Sequence, residues 1–303
     1  MAGRIPEQPA PVSGGEPRDR AGGEPRAIDV SVVVPAKDEA ESVGVLAAEI
    51  ETALAPTGLA WECLWIDDGS RDDTLARLET LHAGDERHRI LVFDRNYGQS
   101  AAMLAGFRRA RGRMIVTLDA DLQNDPADIP RLLELLAAGP AAMVNGVRAK
   151  RHDRWVRRVS SRIANGFRNR LTHESVTDVG CSLRAFRAEC VRDLPSFHGM
   201  HRFLPTLVRM QGYAITETPV GHRIRRYGTA KYGIGNRLWV GIADTFGVRW
   251  LMRRYVKPIV RYDSLAHDAA SETPPRPSAA ATPGIRTGNE AASKRVPAES
   301  HRG

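Results

Sequence analysis

The sequence predicts an α/β fold, a mostly parallel sheet flanked by helices. Three observations point to it. Short apolar, β-branched runs alternate with segments of helical periodicity from about residue 28 to residue 146. The clearest run, Met114 to Leu118, lacks polar alternation, as expected of a strand covered on both faces. Carboxylates follow directly after two of the runs, where an open parallel sheet presents its ligand crevice.

The elements follow in order. Ile28 to Val34 is β-branched and reads as a strand stopped by Pro35. Asp38 to Leu54 has helical spacing, with Val43, Leu46, Ala47, Ile50 and Leu54 on one face. Trp61 to Ile66 is a second strand, running into Asp67-Asp68-Gly69-Ser70. Asp72 or Asp73 caps a helix from Thr74 to Leu81. Ile90 to Phe93 is a third strand, and a helix follows from Ser100 to Ala110. After the Met114 strand, helical periodicity begins at Pro126, with Asp125 as its N-cap. Ala141 to Gly146 is a fourth core strand, and another strand is expected at Gly180-Cys181. This alternation implies right-handed crossovers. No internal repeat is visible.

Residues 1–27 and 262–303 are rich in Ala, Gly, Pro, Glu and Arg with little to bury, and are expected to be disordered extensions. The formal net charge is +8, and arginine far outnumbers lysine, which suits a surface facing phosphates. Three cysteines, Cys63, Cys181 and Cys190, show no CxxC or zinc spacing; buried thiols in a reducing compartment are expected. There is no signal-peptide h-region and no apolar run of about eighteen residues, so no membrane span is expected.

The chemistry centres on Asp119-Ala120-Asp121-Leu122-Gln123. Two close carboxylates and an amide oxygen, Asp119, Asp121 and Gln123, are hard ligands suited to Mg²⁺ or Mn²⁺. On this stretch alone a solvated acidic turn fits equally well. The glycine-rich phosphate fingerprints GxGxxG and GxxxxGK[ST] are both absent. An arginine-rich stretch from Arg148 to Arg170 interleaves Trp155, Val159, Ile163, Phe167 and Leu171 at helical spacing, and reads as an anion-facing helix. Farther on, Leu238, Trp239, Ile242, Ala243, Phe246 and Trp250 form one apolar stripe flanked by Arg237, Arg249, Arg253, Arg254 and Lys257. Such a segment, 233–261, suits a membrane interface, with packing on protein as the alternative. His201 and His222 lack metal-ligand spacing and are expected to make structural hydrogen bonds.

Several motifs in fixed order carry a resemblance: Pro35…Glu39, Asp67-Asp68-Gly69-Ser70, Gly98-Gln99-Ser100-Ala101-Ala102 and Asp119-Ala120-Asp121-Leu122-Gln123. The chain resembles the family 2 glycosyltransferases of the GT-A fold, over about Val30 to Tyr255. Gly146-Val147-Arg148, Asp178 to Arg184 and Arg225 to Tyr232 narrow the likeness to the branch of dolichol-phosphate mannosyltransferase and bacterial polyprenyl-phosphate glycosyltransferases. The resemblance implies a GT-A domain at 28–232. It implies inverting, metal-dependent transfer of a sugar from GDP-mannose or a UDP-sugar to a polyprenyl phosphate, and a protein peripheral on the cytoplasmic face of a membrane. By resemblance, Pro35, Lys37, Glu39, Ile66, Asp68 and Gln99 would line the nucleotide-sugar pocket, with Ala120 against the nucleotide. Asp119, Asp121 and Gln123 would hold the metal. Arg148, Arg157, Ser161, Arg225 and Lys231 would surround the phosphates. The family's aromatic-Asn before the first Glu is Lys37-Asp38 here, and its Ser before the lysine is Ala230.

A phosphate monoester acceptor, with a second pKa near ~6, needs no strong general base. Asp178 is the best candidate for a base or for positioning an arginine, and a turn or N-cap aspartate fits it equally well. A hydroxyl acceptor would demand such a base. A basic nucleic-acid-binding protein is the reading from another class, but acids at strand ends would repel that ligand. Oligomeric state stays open, a homo-oligomer among the options.

Overall fold

The computed structural model describes residues 27–149, 166, 168–172, 176–225 and 235–256, with side chains of the last helix from 240 onward. Arg157, Ser161, Ala230, Lys231, most of the arginine-rich stretch, Leu238, Trp239 and both terminal extensions lie outside the described residues or side chains.

Seven strands form one sheet in the order β3-β2-β1-β4-β6-β5-β7. They are β1 (Val30–Ala36), β2 (Trp61–Asp67), β3 (His88–Val92), β4 (Met114–Thr117), β5 (Met143–Arg148), β6 (Arg184–Arg187) and β7 (Ile215–Val220). All neighbouring pairs are parallel except those made by β6, which lies antiparallel between β4 and β5. The strands are accompanied by α1 (Ala40–Leu54), α2 (Thr74–Gly84), α3 (Gln99–Arg109), α4 (Ile129–Ala138), α5 (Leu204–Met210) and α6 (Gly235–Arg254), and residues 168–172 are also helical.

The period of two in β1 builds a layered core. Val30, Val32 and Val34 join Leu46, Ile50, Leu132 and Leu136 of α1 and α4 on one face. Val33 joins Leu64, Ile66, Phe107 of α3, Leu204 and Leu207 of α5 and Val248 of α6 on the other. Gly106 makes the second layer possible: a Cβ there would stand 2.4 Å from a Val33 methyl, so α3 sits hard against β1.

Element edges differ from the sequence reading for local reasons. Pro35 does not stop β1; it costs one ladder donor, and the strand runs on to Ala36, whose carbonyl accepts from Asp68 N at 2.9 Å. Asp38 adopts φ +48°, so α1 begins at Ala40. Asp72 rather than Asp73 serves the start of α2, its Oδ1 accepting from Thr74 N at 3.0 Å. Asp125 caps as expected, accepting from Ala127 N at 3.0 Å, but the first turn, Pro126–Asp128, is a 3₁₀ helix. The strand expected at Gly180-Cys181 begins only at Arg184, because Val179 and Gly180 form a turn.

Strand order reverses between β1 and β4, the position at which doubly wound sheets open a crevice. The segments after β1, β2 and β4 therefore share one edge with the end of β5 and the start of β6.

Candidate active site

The loops after β1 and β2 are knitted together by side chains. Lys37 Nζ donates to Gly69 O at 2.8 Å, Asp38 N donates to Ser70 Oγ at 2.9 Å, and Asp38 Oδ1 accepts from Arg71 N at 2.8 Å. Lys37-Asp38, the departure from the family's aromatic-Asn, thus anchors the neighbouring loop, and aspartate tolerates the left-handed conformation this requires. Asp68 is buried, with both carboxylate oxygens on backbone amides: Tyr97 N at 2.7 Å and Gly98 N at 2.9 Å. It fixes the loop leading into α3, whose first residue, Gln99, donates to Asp119 Oδ1 at 2.7 Å.

Asp119 follows β4 by two residues, and Leu122 turns the chain with φ +61°. Burial first, and then the charge of Asp121, push the Asp119 carboxyl up to about 6. A Ser182 hydrogen bond and the Arg184 charge pull it down, while Glu39 adds to the rise. Two carboxylates that repel at neutral pH are a donor set a divalent cation would relieve, so the residues fit Mg²⁺ or Mn²⁺. Among the described residues no group of three His, Cys, Asp or Glu forms a ready-made cage. An ion here would take its other oxygens from water and substrate. Gln123 lends its backbone, N–H to Asp121 Oδ1 at 3.2 Å and carbonyl to Arg223 N at 2.8 Å.

The other flank is built at the end of β5. Arg148 makes a two-pronged ion pair with buried Asp178, Nε to Oδ2 at 2.7 Å and Nη2 to Oδ1 at 2.9 Å. Gly180 admits the guanidinium: a Cβ there would stand 2.8 Å from Arg148 Nη2. Asp178 also accepts from Gly180 N at 3.1 Å. These bonds favour the charged form of Asp178 and commit its carboxylate to the Arg148 guanidinium.

A strap following β7 closes the edge. His222 bridges to Asn124, Gly221 N donates to Asp128 Oδ2 at 2.7 Å, and Arg223 is paired with both Glu49 and Asp125 at 2.7 Å. Arg225 pairs with Glu39 at 2.6 Å. His201 Nδ1 is hydrogen-bonded to Ser100 Oγ at 2.8 Å.

The structure thus gathers Glu39, Gln99, Asp119, Asp121, Arg148, Asp178 and Arg225 along one sheet edge, with Pro35 and Lys37 beside them. Three of the residues expected to line the nucleotide-sugar pocket have other structural work. Ile66 is fully buried in the α3-side layer, and Ala120 is buried in the other layer, so neither side chain faces a cleft. Asp68 accepts one loop amide on each carboxylate oxygen, which fixes the loop and leaves further lone pairs. Sequence reasoning also passed over Arg184, Asn145 and Ser182, buried or half-buried beneath the aspartates. Arg184 closes a quoted motif; the other two carry no local signal.

The class of protein follows from this fold and edge. The chain matches glucosyl-3-phosphoglycerate synthase from Mycobacterium tuberculosis, solved with Mn²⁺, UDP and glucosyl-3-phosphoglycerate, at TM-score 0.57 and 22% identity, covering 75% of this chain and 80% of that one. The same enzyme with Mg²⁺ and UDP matches at TM-score 0.56. The architecture is GT-A. The model of glycosyl transferase family 2 matches residues 31–194, and the chain belongs to that family. It is 37% identical over 238 residues to dodecaprenyl-phosphate galacturonate synthase from Rhizobium johnstonii, spanning 77% of this chain and 70% of that protein. It is 40% identical over 205 residues to undecaprenyl-phosphate 4-deoxy-4-formamido-L-arabinose transferase from Pectobacterium carotovorum, 67% of this chain. The match covers 62% of that transferase, less than two-thirds of its length.

Proposed function

We propose that this family 2 glycosyltransferase moves a sugar from a nucleotide-diphosphate sugar to a polyprenyl phosphate, with inversion. The observation that supports the reading most is the pairing of two flanks on one edge: repelling carboxylates at Asp119 and Asp121, and a buried ion pair that holds the Arg148 guanidinium, with Arg225 across the strap. An acceptor phosphate oxygen attacks the anomeric carbon, the bond from that carbon to the diphosphate breaks, and the nucleoside diphosphate leaves with the electron pair. Asp119 and Asp121 would hold a divalent cation, which neutralises charge on the departing diphosphate when bound. Arg148 and Arg225 attract and orient the phosphates as forked donors. The acceptor is already anionic, so no side chain need remove a proton, in keeping with an Asp178 committed to Arg148. The names of the relatives, galacturonate and formamido-arabinose transferases, widen the candidate sugars beyond mannose.

The same reading places the protein at the cytoplasmic face of a membrane. Helix α6 turns Thr245 and Val248 inward, and leaves Val240, Ala243, Phe246 and Trp250 exposed, with Arg253 and Arg254 exposed at its end. An outward apolar stripe with cations suits anionic lipid. Arg249, by contrast, donates to Leu171 O at 2.6 Å. Among the described residues no helix is long and apolar enough to cross a membrane. The deciding assay is the purified protein with undecaprenyl phosphate, Mn²⁺ and a panel of nucleotide sugars, read by mass spectrometry. A sugar-phosphate-lipid product supports the reading; transfer only to hydroxyl acceptors overturns it.

A further inference from the structure

Arg184 is an arginine buried to 2% exposure with no carboxylate within ion-pair distance among the described residues. A buried cation is costly unless its donors are fully used. Here each of the three nitrogens donates to a neutral oxygen, from three different segments, and the charges of Asp119 and Asp178 act on the guanidinium from nearby. Nε donates to Asn145 Oδ1 at 3.0 Å, on β5. Nη2 donates to Val179 O at 2.6 Å, in the turn beside Asp178. Nη1 donates to His201 O at 3.0 Å, in the 3₁₀ turn Met200–Phe203.

Each of these contacts leads on to one flank of the cleft. Asn145 Nδ2 donates to Asp178 O at 3.1 Å, and Asp178 holds Arg148. His201 is bonded to Ser100, which also accepts from Gly199 N at 3.1 Å, and the residue before Ser100 is Gln99, bonded to Asp119. A planar fork of fixed geometry can hold three carbonyls at set angles; a flexible ammonium cannot. We propose that Arg184 is a positioning residue that locks the Asp119 flank to the Arg148 flank through the turns at Val179 and His201. The proposal deepens the functional reading above and rests on it for which substrate each flank serves. If each substrate binds its own flank, loosening the lock spoils the relative placement of the two and not the binding of either.

The test is R184K in the full chain, with S100A as a second, smaller cut in the same path. Kinetics use undecaprenyl phosphate and whichever nucleotide sugar the wild type accepts; Mn²⁺ stoichiometry is read by electron paramagnetic resonance, and amide hydrogen exchange is recorded for both. R184K is expected to lower kcat about 10- to 100-fold while both KM values stay within about threefold and Mn²⁺ still binds one-to-one. S100A is expected to cost less, and the double variant little more than R184K, because both cut one path. Exchange should rise together at 97–100, 178–182 and 199–203. R184K with wild-type kcat, or exchange raised only next to residue 184, overturns the lock. A wild type without turnover on any nucleotide sugar counts against the functional reading instead, and the exchange pattern then decides the lock on its own.

Discussion

Replacing Asp119 by Asn should make the metal-free protein more stable at neutral pH while destroying its metal site. The Asp119 carboxyl titrates near 6 in the folded chain, raised by burial and by Asp121, against ~3.9 for an unperturbed aspartate. A raised folded value means the group's contribution is fully present below the unfolded value and lost as pH rises through about 6. Wild type has therefore forfeited about 3 kcal/mol by pH 7.5, taking the two-unit gap at 1.36 kcal/mol per unit. Asn keeps the acceptor for Gln99 and carries no charge at any pH. In EDTA at pH 7.5, D119N should melt about 5–10 °C higher than wild type, and near pH 4.5 the gap should shrink to about a third, ~1 kcal/mol. Saturating Mn²⁺ should raise the wild-type melting temperature by mass action and leave the variant's unmoved. A D119N protein less stable than wild type at pH 7.5 would refute the repulsion, as would a gap of equal size at both pH values.

Asp121→Ala should abolish sugar transfer with an unchanged circular dichroism spectrum; retained turnover in EDTA-treated enzyme would dismiss the metal assignment. D178N should cost about 3 kcal/mol in urea denaturation, because it strands the Arg148 guanidinium, and adding R148M should return part of that loss. His88 is buried and its Nδ1 accepts from Trp65 Nε1 at 3.1 Å, and burial lowers its pKa. Its contribution is thus complete above the unfolded value of ~6.5 and lost as pH falls through the folded value; H88Q should flatten that acid-side loss relative to wild type in parallel urea titrations. Exchanging Phe246 and Trp250 for Ser should at least halve co-sedimentation with phosphatidylglycerol vesicles while leaving the melting temperature within about 2 °C; undiminished binding would assign the stripe to another partner.

Most of the α/β alternation was legible because it is local. Strands β1, β2 and β4 are apolar runs, and α1 and α4 carry their buried faces at helical spacing. The insertion of β6 was not legible, since its antiparallel pairing depends on which distant edges remain open, and only four residues carry it. Asp119 and Asp121 stood out only in company: alone the stretch fitted a solvated acidic turn as well, and the other motifs in fixed order tipped the reading. The burial of Ile66 and Ala120 was not legible because a strand end is shared by cleft and core, and only side-chain direction separates the two. The pairs Arg148 with Asp178 and Arg225 with Glu39 span 30 and 186 positions, so no window of sequence could join them.

The strap after β7 has a consequence for how this molecule comes into being. Arg223 reaches back 174 positions to Glu49, and in the same grip clasps Asp125 beside the acidic loop. The strap is made after β1 to β6, so its two ion pairs add to a loop already anchored by the packing of α4 on α1 and by Asn124 on Ser182. The grip of Arg223 on both Glu49 and Asp125 therefore comes late in synthesis, as a clasp on an edge whose parts are already in place.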